Sequence, residues 1–348
     1  MKAKINNNNS SNKRNENINS NPKNIEFVED LAKNCYINYF DNIFCVFNSI
    51  NNILYLIYLI KNQDETNSII SYNMNEYKII NIIKNAHSGY ITNLRHYLDI
   101  INKRDLILSI SSKNNNLKIW NINNFECILD LKNINKKGLL FSSCFFNDNN
   151  QLYLITSNYS FNDSEPIKLY NLEGKKIKEI NNSNDSTIFI DTYYDNKISK
   201  YFIVTGNKGD VKSYDYEENK LYFKYNNDDI SNHNSIIIVN NENIIKLIES
   251  SSHGRIRIWN FHKVQLIRTI MVYRIGSIYG LYLWNNEYFF AACSDKKIRL
   301  ININRARIFN DFTGHSSDVL TIKKLNHPKY GECLVSYSGE IKLWIVKK

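Results

Sequence analysis

A short motif recurs along this chain at a nearly constant interval, and that interval constrains the fold more than any other feature. The motif is an apolar residue, a Lys or Arg, an apolar residue, an aromatic, then Asn or Asp. It is complete at Leu117-Lys118-Ile119-Trp120-Asn121, Ile167-Lys168-Leu169-Tyr170-Asn171 and Ile256-Arg257-Ile258-Trp259-Asn260. Val211-Lys212-Ser213-Tyr214-Asp215 has one polar lapse, Ile298-Arg299-Leu300-Ile301-Asn302 has Ile for the aromatic, and Ile341-Lys342-Leu343-Trp344-Ile345 lacks the final polar residue. A weaker first copy ends in Tyr72-Asn73. The anchors, residues 72, 120, 170, 214, 259, 301 and 344, are separated by 48, 50, 44, 45, 42 and 43 residues. A four-stranded propeller blade takes about 40–45 residues, so seven anchors predict seven blades. Each anchor follows a short apolar run closed by a small polar turn, and no 3.6-residue apolar period is sustained. The expected fold is an all-β, seven-bladed propeller of four-stranded blades.

The anchor tryptophans carry a more specific pattern. Each has a histidine upstream and a serine eight residues before it: His87, Ser112 and Trp120; His233, Ser251 and Trp259; His315, Ser336 and Trp344. Together with the repeat length, this resembles the WD-repeat family over about residues 25 to 348. The resemblance implies a hydrogen-bond network in each blade, joining a histidine before the first strand, a Ser or Thr on the second, an Asp in the following turn, and the Trp. Here the Asp position holds Asn114, His253 and Ser338 in the three tryptophan blades. Asp295 keeps it in a blade that lacks the Trp.

The family also implies how the ring closes. The last blade, ending at Lys348, lacks an outer strand, and Ile25 to Tyr39 is expected to supply it from the other terminus. Residues 1–24 are then expected to form a disordered polar tail ahead of one propeller domain at 25–348. The apolar stretch from Ile43 to Ile60 is broken by Asn48, Asn51 and Asn52. Its longest clean run, eight residues, is too short for a membrane-spanning helix and reads as two strands.

The remaining features argue for a binding platform. The chain carries a formal charge of +10, with 24 Tyr, 3 Pro and 11 Gly among 348 residues. Asn, Ile, Lys and Tyr share AT-rich codons, so coding bias accounts for much of this skew and discounts lysine richness as a sign of an acidic partner. The six cysteines lie in or beside apolar runs without a CxxC pair, which suits buried free thiols in a reducing compartment. No apolar leader is visible, so an intracellular, cytoplasmic protein is expected, with the nucleus as the alternative. Histidine spacing matches no metal motif. No phosphate-binding loop, nucleophile elbow or kinase signature occurs, and Gly206-Asn207-Lys208-Gly209-Asp210 suits a tight turn between strands. The Lys or Arg two places before each of the last six anchors, at positions 118, 168, 212, 257, 299 and 342, is read as a stem packed between blades with its head reaching water.

The expected function is therefore a non-catalytic protein-interaction scaffold without cofactor or metal, working within a complex of other proteins. The alternative is an RNA- or ribosome-associated propeller binding through its basic surface. By analogy with the family, the partner-binding face comprises Tyr90, Thr92, Lys113, Asn207, Ser252, Ser277, Tyr279, Ser294, Asp318, Leu320 and Tyr337.

Overall fold

The computed structural model describes residue 22 and residues 25–33, 35, 43–62, 66–160, 164–181, 183–226, 230–240 and 244–346. The tail assigned to residues 1–24 thus lies outside the described residues, apart from residue 22. After β1 (Ile25–Lys33), blade one is β2 (Cys45–Asn48), β3 (Leu54–Lys61), β4 (Asn67–Asn73) and β5 (Lys78–His87). Blade two is β6 (Ile91–Asp99), β7 (Arg104–Ser111), β8 (Asn116–Asn121) and β9 (Glu126–Leu131). Blade three is β10 (Leu139–Asp148), β11 (Gln151–Tyr159), β12 (Lys168–Asn171) and β13 (Lys176–Glu179). Blade four is β14 (Thr187–Asp195), β15 (Lys200–Asn207), β16 (Asp210–Asp215) and β17 (Lys220–Asn226). Blade five is β18 (His233–Asn240), β19 (Ile245–Ser251), β20 (Arg255–Asn260) and β21 (Gln265–Met271). Blade six is β22 (Ile278–Leu283), β23 (Tyr288–Cys293), β24 (Ile298–Asn302) and β25 (Arg307–Phe312). Blade seven has β26 (Thr321–His327), β27 (Gly331–Tyr337) and β28 (Glu340–Val346).

Seven antiparallel four-stranded sheets result, and the seventh has the order β1-β28-β27-β26. The first strand of each blade contacts the first strand of the next, all the way round from β2 to β26 and back. The protein is a closed seven-bladed propeller with its first strands around the axis.

Every anchor falls in the third strand of its blade, for a reason visible in the packing. Third strands have a neighbouring strand on each edge and a neighbouring blade on each face, so their residues are buried on both sides. Leu117, Ile119 and Trp120 are buried in β8, as are Ile298, Leu300 and Ile301 in β24. The core is accordingly a series of clusters between successive blades. One joins Leu108 and Ile119 of blade two to Leu140 and Leu154 of blade three; another joins Ile248 and Ile258 of blade five to Phe289 and Ile301 of blade six.

β1 is a true fourth strand. In each of blades one to six the outer strand gains one residue opposite the anchor, as between Ile119 and Trp120, Ile258 and Trp259, or Leu300 and Ile301. β1 does the same between Phe27 and Glu29, opposite Trp344 and Leu343. Closure in this way pairs the edge that β28 would otherwise expose and gives blade seven an outer strand like those of the other six blades.

The meander gives the ring two faces. Crossovers between blades and the turns between second and third strands lie on one, here called the crossover face. Turns between first and second and between third and fourth strands lie on the other, the hairpin face. Gly209, at φ +91°, closes the two-residue turn between β15 and β16 on the crossover face, where its left-handed conformation favours glycine. Of the six cysteines, five are buried and Cys127 is exposed, contrary to expectation for that residue. It sits in an outer strand with one face to solvent. No helix of the described residues is long and apolar enough to cross a membrane.

Candidate functional site

The crossover face is organised by the network under it. In blade seven, the Trp344 indole Nε1 donates to Ser336 Oγ at 2.7 Å, and His315 Nε2 lies 2.5 Å from the same oxygen. An indole N–H can only donate, so the chain that uses each group once has the Ser336 hydroxyl donating onward to His315 Nε2. The turn position Ser338 does not take part; its Oγ lies 2.5 Å from Ser317 Oγ. Glu340, two residues further on, instead brings Oε1 to 3.4 Å from His315 Nδ1 and also lies 3.4 Å from Lys342 Nζ. Burial lowers the His315 pKa to about 4 despite Glu340. The imidazole is therefore neutral at physiological pH.

Blade two builds the same chain from a different serine. Trp120 Nε1 donates to Ser109 Oγ at 2.8 Å, and His87 Nε2 lies 2.8 Å from that oxygen. Ser112, expected in this role, lies in the turn after β7. Asn114 is exposed and donates through Nδ2 to Ser88 Oγ at 2.8 Å, away from the histidine. The correction has a simple cause. Ser109 pairs across the hairpin with Lys118, as Ser336 pairs with Lys342, so both serines face the residue two before the tryptophan. The blade-two hairpin is three residues longer, and counting back along the chain lands in its turn. Burial, aided by Lys118, lowers the His87 pKa to about 3.

In blade five the cross-strand position, opposite Arg257, belongs to Glu249. His233 Nδ1 lies 2.8 Å from Glu249 Oε2, and Arg257 Nη1 donates to Oε1 at 2.9 Å. Burial acts to raise the Glu249 pKa, but the contacts with His233 and Arg257 outweigh it and the net shift is downward. His233 is not the counterpart of His87. It lies within β18, in register with Ile91 of β6, whereas His87 and His315 precede their first strands. Ser251 is buried and accepts from the His253 backbone N–H at 3.4 Å. Trp259 Nε1 has no hydrogen-bond partner among the described residues.

Asp295, the retained aspartate, serves a cation. Arg299 grips both its oxygens, the Nη1 bond measuring 2.7 Å. Burial would raise the Asp295 pKa, but Arg299 and Lys297 bring it below the usual value.

That pairing belongs to a general rule, and it corrects the reading of the repeated bases. Lys168 pairs with Glu165, and Lys212 Nζ donates to Asp185 at 2.7 Å. Lys342 Nζ donates to Asp30 of β1 at 2.6 Å, and Lys118 Nζ lies 3.7 Å from Asp130. The heads are matched with carboxylates of the same blade, or of the crossover leading into it, rather than held in water. Five of the six, Lys168, Lys212, Arg257, Arg299 and Lys342, are buried.

Above this layer the expected partner face divides by exposure. Thr92, Asn207, Leu320 and Tyr337 are buried, so a partner could not touch their side chains without rearrangement. Asn207 is engaged by Thr187 Oγ1, Thr205 Oγ1 and Asp210, and the Tyr337 ring stacks on Phe44. Tyr90 and Lys113 are exposed, and Ser252, Ser277, Tyr279, Ser294 and Asp318 are half-buried. The Tyr279 hydroxyl donates to Asp318 Oδ2 at 3.3 Å, and the Ser277 N–H donates to Ser294 Oγ at 2.9 Å. Sequence reasoning missed Ser109, Glu249 and Glu340; cross-strand pairing with the repeated base identifies the first two. Among the described residues no group of three or more His, Cys, Asp or Glu could hold a metal ion. No protein-family model matches the chain. No curated protein matches it either.

Proposed function

We propose that this protein is a WD-repeat-type propeller acting as a non-catalytic protein-interaction scaffold that presents its crossover face to partner proteins. The observation carrying the family reading is the His–Ser–Trp chain, formed at matched cross-strand positions in blades two and seven. The scaffold reading is supported by the contrast between a rigid, ion-paired layer and the exposed or half-buried side chains over it, from Tyr90 round to Asp318. Loops on a fixed frame are where binding residues concentrate. The absence of catalysis is part of the proposal. It is supported by His87 and His315, which burial holds far below the range useful for acid–base work near neutrality. Intracellular, cytoplasmic residence is the matching proposal.

A second reading, binding of RNA, is favoured by Lys113, Lys136, Arg274 and Lys296, all exposed on the crossover face that carries Tyr90. Basic and aromatic groups together suit single-stranded nucleic acid. It ranks second because the six repeated bases are matched by carboxylates.

The test is affinity capture in physiological salt, with and without nuclease, using wild type and Tyr90→Glu/Asp318→Lys. Proteins captured regardless of nuclease and lost with the variant are the expected result. Capture that disappears with nuclease would promote the RNA reading.

A further inference from the structure

The hairpin face holds a feature that the scaffold reading does not use. The β6–β7 turn carries Ile100 and Ile101 at its tip, each 62% exposed. Turns of this kind select Asn, Asp, Gly or Ser, and two adjacent isoleucines there bury nothing in return. The turn is nevertheless firmly held. Asp99 Oδ1 accepts from the Asn102 N–H at 3.2 Å, and both its oxygens accept from Asn102 Nδ2, at 3.1 and 2.8 Å. Arg104 Nε donates to Oδ2 at 2.8 Å, and the Lys103 N–H closes onto the Ile100 carbonyl at 3.3 Å. The isoleucines are thus presented by a clamp that limits their backbone freedom.

They border a groove of about 240 Å³ between blades two and three. Its floor is Tyr97, Leu152 and Leu172, which are partly buried against the core between these blades. Asn147, Asn150 and Glu173 line it as well. The volume suits one aliphatic or aromatic side chain. Among the described residues the lining has two carboxylates, Asp99 and Glu173, and no basic side chain. Asp99 is matched by Arg104, which leaves the exposed Glu173 to favour a cation, on a chain whose formal charge is +10.

We propose that this groove and the Ile100-Ile101 tip form a second docking site, for an extended segment of a partner protein bearing an apolar side chain next to a Lys or Arg. The apolar side chain fills the floor against the isoleucines, where Asn147 Nδ2 holds the Tyr97 hydroxyl at 2.7 Å, the amide of Asn150 meets the segment's backbone, and Glu173 meets its cation. Preorganisation by the Asp99 clamp reduces the ordering cost of binding. The site does not depend on the crossover face.

The probe is a phage-displayed library of random dodecapeptides, selected on the full chain and counter-selected on Ile100→Asn/Ile101→Asn. Enriched peptides are expected to share an aliphatic or aromatic residue beside Lys or Arg. In fluorescence polarisation the isoleucine variant should weaken them at least tenfold, and Glu173→Lys at least threefold, with the thermal midpoint unchanged because all three positions are exposed. Tyr90→Glu/Asp318→Lys should leave their affinity unaltered, which separates this site from the crossover face. Failure to enrich any peptide, peptides without an apolar residue, or equal binding to the isoleucine variant would overturn the proposal.

Discussion

At the scale of single residues, the buried hydrogen-bond chains give the sharpest tests. Ser109→Ala removes the hydroxyl that serves both Trp120 and His87, leaving buried polar atoms unpaired at a cost of roughly 1–3 kcal/mol. Ser112→Ala, in the turn, should fall within about 0.5 kcal/mol of wild type. Chemical denaturation in one buffer separates the two, and the reverse order would refute the register argument. Asn114→Asp should likewise be close to neutral, since Asn114 is exposed and faces Ser88 rather than His87. The same histidines set a pH dependence. Burial lowers the pKa of His87 to about 3 and of His315 to about 4, while the unfolded chain titrates near the usual value of about 6.5. Below that value the unfolded state binds more protons, so stability falls on acidification. The histidine contribution dominates from about pH 6.5 down to about 4.5, above the range where carboxylates join. Its limiting slope is about 1.4 kcal/mol per pH unit for each histidine. His87→Gln should be less stable at pH 7 but show a shallower slope across that window in urea titrations at stepped pH.

At the scale of elements, the turn between third and fourth strands recurs with a residue at positive φ: Tyr77, Phe125, Gly174, Asn219, Val264 and Ala306 in blades one to six. Blade three uses glycine there, at φ +81°. The others hold side chains in a conformation costing roughly 1–2 kcal/mol for most L-residues. Ala306→Gly should therefore stabilise by about 0.5–1 kcal/mol, read as a raised denaturation midpoint, whereas a drop would mean that the Ala306 methyl contact with the core outweighs the backbone term. The outer strand of blade one is another element with a liability. Ile79, Ile80 and Ile82 are all exposed, as is Tyr77 in the turn before them, and residues 79–83 carry no charge. The bulge at Ile80 interrupts this edge but does not cover it. Ile80→Lys/Ile82→Lys should suppress concentration-dependent light scattering with little change in midpoint.

At the scale of the whole molecule, the ring depends on β1. Phe27 packs edge-on against Trp344 with ring centroids 5.7 Å apart, and Asp30 holds the Lys342 ammonium. Deletion through Lys33 should strip the last blade of its outer strand and expose Trp344. The expected outcome is loss of a single cooperative unfolding transition and association in size-exclusion chromatography; a stable monomer would show that closure is dispensable. Net charge acts at this scale too. With the repeated bases matched by carboxylates, binding to RNA or duplex DNA should be weak and non-specific, with Kd roughly 10⁻⁴–10⁻⁶ M near physiological salt. Nanomolar, sequence-selective binding in polarisation assays would favour the second reading.

The seven blades were legible in the sequence because a strand buried on both faces has little choice of residue type, and seven such strands leave a visible period. The closing strand and the turn at Lys208-Gly209 were legible for related reasons: an incomplete last blade needs a partner, and a two-residue turn needs backbone freedom. Cross-strand partnership was not legible. Chain offsets assume a fixed hairpin length, and the lengths differ by several residues from blade to blade. By chain offset Ser112 and Ser251 fall where Ser109 and Glu249 belong, and His233 reads as a residue preceding its strand although it lies within β18. The ion pairs of the repeated bases were hidden for a second reason, since their carboxylates come from several kinds of place: a neighbouring strand for Asp130 and Glu249, a turn for Glu165 and Asp295, a crossover for Asp185 and the other end of the chain for Asp30. Sequence determined how many blades there are and where the third strand of each one lies; only tertiary structure decided which polar groups meet, because that depends on register across strands rather than on distance along the chain.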